Sequence, residues 1–192
     1  MAELRKNKAE PKKGETPATD ELVEAPSRDW PSEAWERLVA AVRSLAAVVR
    51  VEESYDWGVP TGCPVAVPDH LSTPYEQNRY LKSALEPELD SDSDFSAHYW
   101  VIKEWGGIKS FKVNESNNQK IRTFRKELEK GRLTHPTFSV ISSLSKLASF
   151  WNHEQYAIYD SRAVFALNWL LIRHTSERIL FPQPPGRNKE LA

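Results

Sequence analysis

Lys146 and Asp160 are the two residues whose types and spacing suit covalent chemistry. They occur in Ser145-Lys146-Leu147-Ala148-Ser149-Phe150 and in Tyr156-Ala157-Ile158-Tyr159-Asp160-Ser161-Arg162, which puts the lysine on one helix and the aspartate at the start of the next. An amine kept partly deprotonated in a poorly solvated cleft is a nucleophile that forms a Schiff base at an electrophilic carbon, such as the anomeric carbon of a sugar. A carboxylate at a helix N-terminus stays ionised and stabilises positive charge developing on that carbon. Taken singly, each residue also has an ordinary role: an aspartate before a helix caps it, and a lysine on a polar helix face is solvated.

For the two groups to converge, a core must hold consecutive helices in register. Ile141, Leu144, Leu147, Ala148 and Trp151 recur at helical spacing and predict a helix from about Phe138 to Trp151, with Lys146 on its other side. Asp160 is expected to open the last long helix, Ser161 to about His174, which is apolar nearly all round and so is expected to be central. Near the start of the chain, Trp35, Leu38, Val42, Leu45 and Val49 predict a helix capped by Asp29 or Ser32. Residues 52–72 read as a long irregular loop, which either lines a functional surface or covers the core with Trp57 and Val65 as plugs. Thr73-Pro74-Tyr75-Glu76 combines a capping residue, a proline at the first helical position and a carboxylate three residues after the cap, predicting a helix to about Leu85. The acidic run 90–94 lacks the glycine and distal glutamate of a calcium loop and reads as a solvated turn. Its last carboxylate is expected to cap a helix carrying Phe95, Tyr99, Ile102 and Trp105, stopped by Gly106-Gly107.

With no internal repeat and no convincing alternation of strand type, the fold class is all-α, a single compact helical domain over residues 29–192. Residues 1–28 carry almost no large apolar side chains and are expected to form a disordered tail, because they cannot offset the entropy of ordering. The basic residues of that tail are either solvated or in contact with an acidic protein partner.

Net charge is formally -1, so any argument for nucleic acid rests on how the charges are distributed. Ten acidic residues between Glu52 and Asp94 face only Arg79 and Lys82, whereas Lys109 to Arg132 is a basic block. Within that block Asn118 is expected to open a helix that ends at Gly131, with Ile121, Phe124 and Leu128 inward and Arg122, Arg125, Lys126 and Lys130 outward. The outward row is a solvated surface or a binding face for a line of phosphates. Cys63 is the single cysteine, which excludes an intramolecular disulfide and a cysteine-rich zinc site and fits a reducing, cytoplasmic setting. The N-terminus has charge without an apolar run behind it, and the longest apolar stretch, Ala163 to Ile172, is too short for a bilayer, so no membrane association is expected. The five histidines lack metal-ligand spacing and no nucleotide-binding fingerprint occurs, so neither a metal nor another cofactor is expected.

In the segments around Lys146 and Asp160 the sequence resembles the helix-hairpin-helix DNA glycosylases, in particular the 8-oxoguanine glycosylase branch, and divergent bacterial proteins with an Ile-Tyr-Asp-Ser-Arg turn. That resemblance covers about a sixth of the chain. It implies a glycosylase-like fold, DNA as partner, a role in DNA repair, Lys146 as Schiff-base lysine and Asp160 as catalytic aspartate. It further implies that a base is flipped from the duplex and stacked on an aromatic side chain, with Trp151 and Tyr159 the nearest in sequence. Arg162 is expected either to contact a phosphate or to pair with Asp160. The chain departs from the family in three ways: no Leu-Pro-Gly-Val-Gly hairpin precedes Lys146, Arg162 and Phe165 stand where the family has histidine and arginine, and the lysine-to-aspartate spacing is shorter. A non-catalytic module that keeps the fold and binds nucleic acid or protein is the alternative.

Overall fold

In the computed structural model, which describes residues 31–176 and 180–185, the architecture is all-α, with no strand among the described residues. The expected tail, residues 1–28, lies outside the described residues. Helix α1 spans Ser32–Val48 and α2 Val51–Ser54. Ser32 is the first helical residue of α1, not its cap, and Pro31 precedes it; Asp29, the other expected cap, lies outside the described residues.

Helix α3, Pro74–Ser91, starts as its sequence requires. Thr73 Oγ1 accepts from the Glu76 amide at 3.2 Å while the Glu76 carboxylate accepts from the Thr73 amide at 3.0 Å, so two otherwise orphaned donors are satisfied. Thr73→Ala is expected to cost about 1 kcal/mol in urea denaturation without altering the rest of the fold. The helix runs six residues beyond the expected end at Leu85 and contains Pro87. Leu85 and Leu89 are fully buried on either side of the proline, and that burial carries the helix through a residue that would end an exposed one.

The acidic turn then organises the next element. Asp92 and Asp94 both accept from the Ser96 amide, and Asp92 also takes the His98 amide at 3.1 Å. These bonds hold Phe95 in the left-handed region, φ 66°, which a side chain of this size adopts only when its surroundings impose it. Helix α4, Ser96–Tyr99, continues directly into a π-helical segment, Trp100–Trp105. Gly107, at φ 70°, ends it as expected.

Helix α5 spans Glu115–Glu129 and is capped by Asn114, whose side chain accepts from the Asn117 amide; the expected opening at Asn118 is four residues too late. Its C-terminus closes with Gly131 at φ 67° and with bonds from the Gly131 and Arg132 amides to the Leu128 and Glu127 carbonyls. The helix expected from Phe138 begins three residues later, as α7, Ile141–Trp151, and is preceded by a short helix that was not expected, α6, His135–Phe138; α8 spans Ser161–His174 behind its Asp160 cap.

The main core gathers α3, the π-helical segment, α5 and α7 around Leu81, Ile102, Phe124, Leu144, Leu147 and Phe150. A second, smaller cluster, Leu38 with Leu170 and Leu171, joins α1 to α8. Here the sequence reading is corrected: the central helix is α7, buried from Ser143 to Trp151, whereas α8 lies at the side with Phe165, Trp169 and Ile172 exposed. The α7 serines are small enough to admit close neighbours, and their hydroxyls bond locally: Ser149 Oγ donates to the Lys146 carbonyl at 2.7 Å. No helix among the described residues is long and apolar enough to cross a membrane.

Candidate active site

Ser145 connects the two segments singled out by sequence. Its hydroxyl accepts from the Tyr159 amide at 2.9 Å, which ties the middle of α7 to the residue immediately before Asp160. Asp160 then adopts an extended backbone and its Oδ1 accepts from the amides of Arg162 at 3.1 Å and Ala163 at 3.0 Å, capping α8. Its second oxygen lies 3.7 Å from the Arg162 guanidinium, which is itself largely exposed. The carboxylate is thus fixed by its own helix and stays partly open to solvent.

Lys146 follows Ser145 and is buried, against the expectation of a polar helix side. Its aliphatic stem packs on Gly106, and Nζ donates to the Ser142 carbonyl one turn earlier at 2.8 Å. Desolvation pushes the amine below the ordinary lysine range; the Asp160 charge opposes that shift and the Arg162 charge adds to it. The three groups are therefore within electrostatic reach of one another. A substrate meets the amine only after the side chain leaves the Ser142 carbonyl, since in this arrangement Nζ is turned onto its own helix.

The remaining candidates are distributed differently. Arg122 and Arg125 are ion-paired with Glu115 and Asp90 at 2.6 and 2.7 Å and lie over the Phe95 and Trp151 rings. Lys126, on the same helix, and Lys130, just past its end, are exposed without an ion pair among the described residues. Trp151 is buried against Phe124 and His98, so protein groups occupy the ring that the sequence offered for stacking, and its Nε1 is buried without a hydrogen-bond partner among the described residues. Tyr159 is half-buried beside Phe138 and donates its hydroxyl hydrogen to the Pro182 carbonyl at 2.6 Å; burial pushes its pKa up to about 12.

Lys82 was missed, although it falls one residue after Leu81 and three before Leu85, inside the apolar stripe of α3. Its Nζ donates to Ser149 Oγ at 2.7 Å and sits 3.8 and 4.7 Å from the centroids of the Phe150 and Trp105 rings. Burial lowers its pKa from 10.5 to about 8, while the ring faces favour the ammonium and oppose that shift. Because the unfolded chain holds this proton more tightly, stability should rise with pH between about 8 and 10.5, and the burial penalty is fully present below that window. Lys82→Met is expected to flatten that rise in urea denaturation and to raise stability at pH 7 by roughly 1–3 kcal/mol.

A second overlooked pair is His98 and Asp92, buried with Nδ1 to Oδ2 at 2.7 Å. Burial lowers the imidazole pKa and Asp92 opposes that. Since Asp92 also takes backbone amides, the pair anchors the turn.

The long loop begins only after α2 and lies on the core through Val59, Val65 and Val67, whereas Trp57, expected as a plug, stays exposed. Trp57 Nε1 donates to the Trp105 carbonyl, Trp100 Nε1 to the Thr61 carbonyl, and Asn78 Nδ2 to the Trp57 carbonyl, with Trp105 Nε1 donating back to Asn78 Oδ1. Between this loop and α3 lies a depression of about 440 Å³, lined by Pro60, Cys63, Val65 and Gln77 among others and not by Lys146 or Asp160. No family model, no curated protein and no solved structure matches the chain.

Proposed function

We propose that this protein is a DNA-glycosylase-like enzyme that binds duplex DNA, extrudes a modified base and excises it through Lys146 with electrostatic help from Asp160. The observation that carries the reading is a desolvated lysine amine within the field of a helix-capping carboxylate, the two segments being tied by Ser145. In the proposed reaction the neutral amine bonds to the anomeric carbon as the glycosidic bond breaks and the base leaves with its electron pair. The bond from that carbon to the ring oxygen then breaks, the oxygen keeping the electron pair and taking one proton from Nζ, which leaves a protonated imine between Nζ and the carbon. Asp160 offsets the positive charge on the sugar during departure of the base. Lys126, Lys130 and Arg162, exposed and basic, supply phosphate contacts.

A second reading, a non-catalytic nucleic-acid-binding module, is favoured by two contacts: Nζ is engaged by the Ser142 carbonyl, and Asp160 Oδ1 by two backbone amides. A panel of duplexes carrying different modified bases, assayed for base release and for covalent capture by borohydride, separates the two. Release together with capture on at least one lesion supports the enzyme. Salt-dependent binding to undamaged duplex, with neither release nor capture on any member, supports the module and removes the Schiff base.

A further inference from the structure

Two apolar ridges stand on the layer formed by α1 and α8. On α8, Phe165, Trp169 and Ile172 follow one another at four and three residues, so they share a face, and they are 53%, 49% and 64% exposed. On α1, Leu45, Val48 and Val49 continue the stripe begun by the buried Ala34 and Leu38, yet are 51%, 77% and 43% exposed. Summed with their apolar neighbours, the two ridges present on the order of 700 Å² of side-chain surface, close to the ~800 Å² that one partner contributes to a stable interface.

Charge distinguishes the ridges. Helix α8 contains no carboxylate, and Arg173 lies over the Trp169 ring at 5.3 Å. The α1 ridge leads into α2, which carries Glu52 and Glu53; Arg50 pairs with Glu53 at 2.5 Å, and Glu52 has no ion-pair partner among the described residues. An apolar ridge with a basic flank and another with an acidic flank are complementary, and each molecule has both.

We propose that these ridges form a self-association interface in which α8 of one copy seats on the α1–α2 ridge of a second, and reciprocally, giving a two-fold dimer. A pair of this kind closes on itself, because the same two contacts are made in both directions.

Light scattering and sedimentation of the full chain from ~1 to ~100 μM test it, a range that resolves a micromolar dimer. The expected result is a mass rising to twice 22.0 kDa. Trp169→Glu should give a monomer with an unchanged circular dichroism spectrum and melting curve, because the side chain is half exposed. Arg173→Glu, and separately Glu52→Arg with Glu53→Arg, should each weaken the dimer at least tenfold. An equimolar mixture of those two variants should dimerise again, since both contacts of the mixed pair regain opposite charges. A monomer at every concentration, a dimer indifferent to Trp169→Glu, or a mixture that stays monomeric would each overturn the interface. So would a monomer whose Trp169 ridge instead binds anionic vesicles or duplex DNA.

Discussion

A Lys146→Gln variant is expected to lose borohydride capture on duplex DNA completely while its unfolding free energy stays within about 2 kcal/mol of the parent. The loss is complete because an amide nitrogen has no lone pair free to attack carbon. Stability is spared because the side chain makes one polar bond, to the Ser142 carbonyl, and its charged form is disfavoured by burial. A neutral side chain of similar length keeps the packing on Gly106 without that desolvation penalty. The pH dependence has a definite sign. Burial holds the folded-state pKa below the ordinary lysine value, so the neutral, nucleophilic form accumulates as pH rises toward it, and capture should accelerate in the same direction. Between that folded pKa and the ordinary value the unfolded chain carries more protons, so stability also rises there. Should the glutamine variant still be captured, another amine is the nucleophile, and Lys82 is the next to replace.

Gly106→Ala is expected to destabilise the protein by about 2–4 kcal/mol in urea denaturation and to disturb Lys146 as well. A Cβ at this position would lie 2.4 Å from Lys146 Cδ, 2.7 Å from the Ile102 carbonyl oxygen and 2.9 Å from that of Val101. The lysine stem can move aside, but the two carbonyls belong to the π-helical segment and one of them, Val101, already accepts the Gly106 amide at 2.8 Å. Displacement of the stem lets Nζ leave the Ser142 carbonyl, so on the proposed mechanism the variant should be captured at an altered rate even where it remains folded. Gly107→Ala makes a useful comparison: nothing crowds its Cβ, and its cost comes from its positive φ alone.

Parts of this arrangement were legible from residue order. The Thr73 capping box, the Asp160 cap and the glycine stops at Gly107 and Gly131 depend on bonds within a few residues, and all four stand where local rules place them. Boundaries that depend on distant packing were less legible. Helix α3 passes Pro87 because Leu89 is buried, and α5 starts at Asn114, whose backbone amide and carbonyl are held by the Tyr99 hydroxyl fifteen positions away. The Ser145 bond to the Tyr159 backbone spans fourteen positions and has no signature in either segment. Lys82 did leave a trace, a lysine inside an apolar stripe, which the phosphate-oriented reading of basic residues passed over.

Sequence by itself determined that the chain is helical, where α3 and α8 begin, and that a lysine and an aspartate stand on consecutive helices. These follow from capping and periodicity, which act over one or two turns. Only the tertiary structure decided that α7 is central and α8 peripheral, that Lys146 is desolvated, that Arg122 and Arg125 are already paired, and that Trp151 is enclosed. The physical reason is that burial and ion pairing are properties of neighbours brought together from far along the chain. The small serines of α7 let such neighbours approach closely on every side.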